Sequence, residues 1–260
     1  MLTKNKIKFI KSLDYKKSRI ESQCFVVEGE KMVKELLLSG FQIQTLIISK
    51  NAVDFPSSIS YQTNIEVLEV IDSDMEKISS QKSPQGVLAI ATIPNYYFSD
   101  KIPQTQDTQI VLDDIQDPGN LGTIIRTADW FGVKQIICSK NTVDVFNPKV
   151  IQATMGAIFR VQVVYADLKP VLVDFRKENP QTLILAAVLG GENIYKLSFQ
   201  NPVILMMGNE SKGLSQELID LASHKISIPN FGDSTQQSES LNVSIATSIL
   251  LSELKRNLVK

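Results

Sequence analysis

From Gln109 onward, short apolar runs alternate with helical stripes, and this alternation limits the possible folds more than any other feature of the chain. Residues 109–115, 133–138, 159–164, 182–188, 203–207 and 225–228 each read as a strand. Between them, Leu121, Ile124, Ile125 and Ala128 mark a helical stripe that stops at Gly132. Asn147-Pro148 opens a further helix, a cap followed by a proline at the first turn, which closes near Gly156. The last helix, 242–257, puts Val243, Ala246, Leu250 and Leu254 on one face. Six strands separated by helices predict a mostly parallel sheet with helices on both faces, because parallel neighbours need a crossover that packs back on the sheet.

Upstream lies a smaller α/β pattern. Residues 28–38 carry Val33, Leu36 and Leu37 at helical spacing and stop at Gly40, while 45–49, 66–71 and 86–93 read as strands. The passage from Pro94 to Thr108 holds Pro94, Asn95, Asp100, Pro103 and a polar run from Gln104 to Asp107. It reads as a linker. The expected organisation is therefore a first domain over 1–95, a linker over 96–108 and a second domain over 109–260.

Composition removes several function classes. Two cysteines, Cys24 and Cys138, make no disulfide framework, and with the single His224 they cannot supply four ligands to a structural zinc. No metal site is expected. The longest apolar run, 183–189, falls far short of the roughly 20 residues a membrane helix needs. The N-terminus has no apolar core or small-residue cleavage site, so a cytoplasmic protein is expected. Net charge is -1, yet Lys4, Lys6, Lys8, Lys11, Lys16, Lys17 and Arg19 crowd the first 19 residues against Asp14 alone. Such a patch can follow phosphates by Coulomb attraction and counterion release; a solvated helix face is the plainer reading.

Three loops that follow strands carry the chemistry. In open α/β sheets ligands gather at the carboxyl ends of the strands. The first loop, Asp117-Pro-Gly-Asn-Leu-Gly122, leads into a helix whose Arg126 lies opposite the apolar stripe, where it can meet an anion or simply face solvent. The second, Gly208-Asn-Glu-Ser-Lys-Gly213, lacks the Lys-Ser/Thr that a P-loop needs after its second glycine. It suits a ligand held by backbone amides with one acidic contact, or a helix start whose Glu210 answers the dipole. The third runs from Ile228-Pro229 to Ser240-Leu-Asn-Val-Ser244, where Ser240 or Asn242 can cap the last helix. No strand is followed by G-x-G-x-x-G, which excludes a dehydrogenase.

Taken together and in this order, Asn120-x-Gly122-x-x-x-Arg126-x-Ala128, Gly208-x-Glu210-x-x-Gly213 and Ile228-Pro229 with Ser240-Leu-Asn-Val-Ser244 resemble the three motifs of the SpoU-type RNA ribose 2′-O-methyltransferases of the SPOUT superfamily. Phe25-Val-Val-Glu-Gly-Glu30 and Ser83-Pro-Gln-Gly86 resemble that family's N-terminal substrate-binding domain, which is similar to a ribosomal-protein fold.

The resemblance implies an α/β trefoil knot around a six-stranded sheet, and a homodimer whose interface completes the active site. It implies transfer of a methyl group from S-adenosylmethionine to a ribose 2′-hydroxyl of structured RNA, ribosomal before transfer RNA. By motif matching, Gly208, Ile228 and Leu241 line the cofactor site, joined by Leu189 and Gly190 at the end of the adjacent strand. A side chain at Gly208 is expected to block the cofactor by filling its space. Arg126 matches the family's catalytic arginine. A free guanidinium scarcely releases its proton, so it reads better as an electrostatic anchor for the developing oxyanion. Asn120, Glu210, Ser240 and Asn242 would orient Arg126 and the ribose, while Lys4, Lys8, Lys11, Lys16, Lys17 and Arg19 would contact RNA. A silent RNA-binding relative would have lost Arg126, Asn120 or Glu210, and all three are present. The chain departs from the family pattern in a long 233–239 insertion, in Asn230 after Ile228-Pro229, and in Asp114 where glycine is frequent.

Overall fold

The computed structural model describes residues 2–52, 65–95, 107–199, 203–232 and 240–258. Most of the expected linker and the whole 233–239 insertion lie outside the described residues. The chain forms two compact units, residues 1–95 with 144–160 and residues 96–143 with 161–260.

The first unit is built on a four-stranded sheet of β1 (Cys24–Glu28), β2 (Ile43–Ser49), β3 (Glu66–Val70) and β4 (Val87–Thr92), ordered β1-β4-β2-β3. Its helices are α1 (Lys4–Ser12), α2 (Lys16–Ser22), α3 (Glu30–Leu37) and α4 (Asp72–Ile78). Ile10, Leu13, Ile47, Met75, Leu88 and Ile90 pack one core between sheet and helices. Neither β1 nor α4 shows a clear period in the sequence; both are short, and their burial comes from tertiary packing.

Residues 144–160, expected in the second domain, pack in the first unit. Arg19 explains this. It is 2% exposed, and its Nε donates to Asp144 Oδ2 at 3.0 Å. Its Nη1 donates to the carbonyls of Leu13 and Asp14 at 2.7 and 2.9 Å. Beside this pair, Phe146 meets Phe25 with ring centroids 4.5 Å apart. Helix α6 (Pro148–Thr154) follows, capped by Asn147, whose Oδ1 accepts from the Lys149 amide at 2.9 Å. The strand expected over 159–164 begins only at Gln162, because Ala157–Phe159 is a single 3₁₀ turn.

The second unit carries six parallel strands in the order β10-β8-β9-β5-β6-β7. They are β5 (Gln109–Leu112), β6 (Gln135–Ser139), β7 (Gln162–Ala166), β8 (Leu183–Asn193), β9 (Val203–Met207) and β10 (His224–Ser227). All five residues of β9 are buried, as a strand covered on both faces requires. The helices are α5 (Pro118–Trp130), α7 (Leu168–Glu178), α8 (Gln216–Ile219) and α9 (Val243–Leu258). Leu172, Phe175, Ile184, Met206 and Leu218 form part of a core on one face. Along the chain, β5, β6 and β7 build outward in one direction and β8, β9 and β10 occupy the other side, so the crossover direction reverses at the β5–β9 pair. No described helix is long and apolar enough to cross a membrane.

Candidate active site

Three sequence-distant loops meet at the carboxyl ends of the central strands. Asp117 caps α5 by accepting from the Asn120 amide at 2.8 Å, and Pro118 occupies the first turn, where its missing N–H costs nothing. This cap presents the Asn120 side chain, whose Nδ2 donates to Glu210 Oε1 at 2.6 Å. Asn242 Nδ2 in turn donates to Asn120 Oδ1 at 2.9 Å. The Asn242 Oδ1 accepts from the amides of Ser244 and Ile245 at 3.0 and 3.3 Å, so one side chain both caps α9 and joins the first motif to the third.

Glu210 rides on a tight turn. Asn209 and Gly213 exchange backbone hydrogen bonds of 3.1 and 2.8 Å, and the Asn209 Oδ1 accepts from the amides of Ser211 and Lys212. A Cβ on Gly208 would lie 2.2 Å from the Gly213 carbonyl carbon and the Leu214 amide nitrogen. Gly208 is therefore required for the turn to close on itself. A Cβ there meets backbone atoms, which makes the position sensitive whether or not a ligand is bound, while Gly208 also lines the adjoining cleft.

Beside the turn opens a cleft of about 450 Å³, within the range of small-molecule sites. Leu189, Ile228, Leu241, Val243 and Leu250 give it an apolar lining, and the 208–213 turn gives it polar groups. Its lip comes from a break in the sheet. β10 advances one residue, from Lys225 to Ile226, while its partner on β8 jumps from Ala186 to Glu192. Residues 187–191 therefore arch out of the ladder, and Leu189 is left 80% exposed.

The model of the SpoU rRNA Methylase family matches residues 107–252, the stretch that holds every one of these groups. The chain belongs to that family.

A second model, the MRM3-like substrate binding domain, matches residues 4–89 of this SpoU-family chain. The chain is 30% identical over 250 residues to the 23S rRNA (guanosine(2553)-2′-O)-methyltransferase RlmP of Bacillus subtilis, covering 96% of each. Among solved structures it is similar to a TrmH-family protein from Porphyromonas gingivalis, with a TM-score of 0.87, 38% identity, and 98% and 99% of the two chains covered. It is also similar to an AdoMet-bound rRNA methyltransferase from Sinorhizobium meliloti, with a TM-score of 0.82, 33% identity, and 100% and 97% covered.

The fold brings Asn120, Glu210 and Asn242 into one hydrogen-bonded chain and places Leu189, Gly208, Ile228, Ser240 and Leu241 around one cleft. Gly190 has a positive φ of 73° within the arch and is not among the cleft-lining residues. Arg126 is exposed and forms no hydrogen bond or ion pair among the described residues. It stands six positions after Asn120 on α5, which is about 9 Å along the axis and well round the helix. Lys4, Lys8, Lys11, Lys16 and Lys17 are exposed. Arg19 is not an RNA-facing cation: it is buried, and Asp144 and two carbonyls occupy its guanidinium.

Sequence reasoning missed Asn209, the organiser of the turn, and Ala187 and Val188, which line the cleft. An amide residue straight after a strand-end glycine was the available signal for Asn209. The arch left no signal, because it is a property of two strands paired out of step.

Proposed function

We propose that this chain transfers a methyl group from S-adenosylmethionine to a ribose 2′-hydroxyl of ribosomal RNA, acting in the cytoplasm as a knotted homodimer. The observation that carries this reading is Glu210, which belongs at once to the Asn120–Asn242 chain and to the lining of the apolar cleft. A site for a nucleoside-like ligand and a polar device for a hydroxyl acceptor thus share one residue.

The cleft suits the cofactor: apolar side chains can cover an adenine, and strand-end backbone groups can read its edge. Leu189, Ile228 and Leu241 would hold it beside the 208–213 turn. Bound there, the cofactor supplies a methyl group activated by a sulfonium. Asn120, fixed at both amide atoms, keeps Glu210 and Asn242 in one geometry and so pre-positions the acceptor ribose. Arg126 stabilises negative charge as the 2′-oxygen loses its proton.

The separation of Arg126 from Asn120 along α5 supports a dimer in which each site uses the partner's copy of that arginine. Trp130, one turn after Arg126, is 85% exposed, and Ile245 on the neighbouring α9 is 52% exposed. Two exposed apolar groups on packed helices favour an interface over bare solvent. The match to the MRM3-like substrate binding domain, together with the lysines of α1 and α2, supports an RNA grip by the first unit.

The test is calorimetry with S-adenosylmethionine, followed by transfer of labelled methyl to total RNA from a strain lacking the protein, with ribose methylation mapped. Cofactor binding and label on one 2′-oxygen of ribosomal RNA is the expected result. Absence of cofactor binding overturns the reading, and label on transfer RNA overturns its substrate.

A further inference from the structure

The buried Arg19 holds the bend between α1 and α2 in one shape. Its guanidinium, anchored on Asp144, donates to the carbonyls of Leu13 and Asp14 at 2.7 and 2.9 Å. The amides of Leu13, Asp14 and Tyr15 donate back to the carbonyls of Ile10, Lys11 and Ser12 at 3.1, 3.3 and 3.0 Å, and the Arg19 amide donates to the Tyr15 carbonyl at 3.2 Å. The backbone of Tyr15 is thereby fixed on one side by the end of α1 and on the other by the first turn of α2.

Tyr15 is the residue that this bend displays. It is 71% exposed, whereas Leu13 two positions earlier is buried. Tyr15 stands at the N-cap of α2 but gives no side-chain cap, and among the described residues its hydroxyl has no hydrogen-bond partner and its ring packs on no other ring. Exposed lysines lie on both sides: Lys11 four positions before it on α1, Lys16 and Lys17 directly after it on α2. Lys17 lies 3.8 Å from Glu21, a pair exposed to solvent. Asp14, the one acid within the bend, borders a crevice together with Ile10, Glu28 and Pro148.

Ammonium groups hold phosphates whatever bases the strand carries. A ring adds a different contact: every unstacked base offers it a π-face, and a duplex hides that face. Tyrosine brings this area with two χ angles to order, and a backbone already fixed leaves little else to be frozen on binding. A single exposed aromatic needs no function by itself; this one is held at its backbone and flanked by cations along the chain in both directions. We propose that Tyr15 is a stacking platform for an unpaired nucleobase of the RNA, with Lys11, Lys16 and Lys17 on the neighbouring phosphates. The proposal rests on the RNA grip of the first unit given above, and it makes that grip selective for single-stranded segments.

The experiment measures binding of the full chain to a fluorescein-labelled RNA of about 12 uridines across a range of salt, and to the same oligomer with its bases removed. Wild type is compared with Tyr15→Ala and Tyr15→Phe. Tyr15→Ala should bind the uridine oligomer about tenfold more weakly with an unchanged log–log salt slope, while Tyr15→Phe, which keeps the ring, binds as wild type does. On the abasic oligomer all three should bind alike, and their denaturant midpoints should coincide. Wild-type affinity in Tyr15→Ala overturns the platform. An equal loss on the abasic oligomer or a changed salt slope also overturns it, because the substitution then acts through the lysines or the shape of the bend. An equal Tyr15→Ala loss on a duplex of the same length overturns the selectivity for unpaired bases. Failure of wild-type protein to bind the oligomer even at low salt overturns the RNA grip beneath the proposal.

Discussion

Asn242 donates to Asn120 at 2.9 Å across 122 residues of sequence. Each of these side chains also serves its own helix or the neighbouring loop: Asn242 caps α9, and Asn120 holds Glu210 at 2.6 Å. Three motifs that are weak when taken singly thereby become one hydrogen-bonded device beside the apolar cleft.

Arg126 lies outside that device, so its removal should leave the device intact. Arg126→Ala is expected to lower the methylation rate by about 10²–10³-fold, the size of a lost oxyanion donor, with cofactor affinity unchanged. Single-turnover kinetics and calorimetry check both halves. Turnover at the wild-type rate would remove the arginine from the chemistry.

At Gly208 the expected damage is to the turn. Gly208→Ala sets a methyl group 2.2 Å from backbone atoms, and overpacking of this kind costs about 1–3 kcal/mol. Thermal melting should show the lost stability and calorimetry a lost cofactor. A fully stable variant with normal affinity contradicts the close approach.

Arg19 is a structural residue of the first unit. Arg19→Met leaves Asp144 buried beside an apolar chain, and breaking a buried pair costs about 3–5 kcal/mol. Adding Asp144→Leu should restore part of that loss, because the stranded charge goes with it. Denaturant titration of both variants checks this, and a silent Arg19→Met refutes it.

Lys4, Lys8 and Lys11 are exposed on α1 at positions spaced by four and three, hence on one face. Replacing all three with Gln should reduce the salt dependence of RNA binding by about 2 in the log–log slope, with little change in stability. An unaltered slope means that this face only meets solvent.

Acid should weaken the first unit. Hydrogen bonds from Lys6 and Thr45 hold the Glu66 carboxyl below its ordinary value of 4.5, and those from Ser49 and Asn51 do the same for Asp72 against 3.8. A carboxyl whose pKa is depressed by folding contributes fully above its unfolded pKa, and that contribution drains away as pH falls through the folded value. Burial raises Asp14, which works in the opposite sense. The net expectation is falling stability below about pH 4, read by denaturant midpoints across pH. Glu66→Gln should flatten the curve.

Much of the second unit was legible in the sequence. The apolar run at β9 and the stripe on α5 depend only on residue type and period, and burial on both faces leaves a strand like β9 no polar positions. The motifs likewise declared Asn120, Glu210, Asn242 and the glycine turn. Their contacts could not be read, because a hydrogen bond between residues 122 apart has no trace in local order. Cation count was misleading for the same reason. Lys16, Lys17 and Arg19 look alike in sequence, yet Arg19 alone finds a buried carboxylate, supplied by residue 144.

By itself the sequence determined most strands of the second unit, helices α5 and α9, the family motifs and the chemistry available to each loop, since these follow from side-chain type and short-range spacing. Tertiary structure alone decided which loops touch, that 144–160 packs with the first unit, that β8 arches to make the cleft, and that Asp114 is locked in a left-handed turn. The physical reason is common to all four. Each is set by pairing and burial between groups far apart in the chain, and those energies exist only once the chain has closed around them.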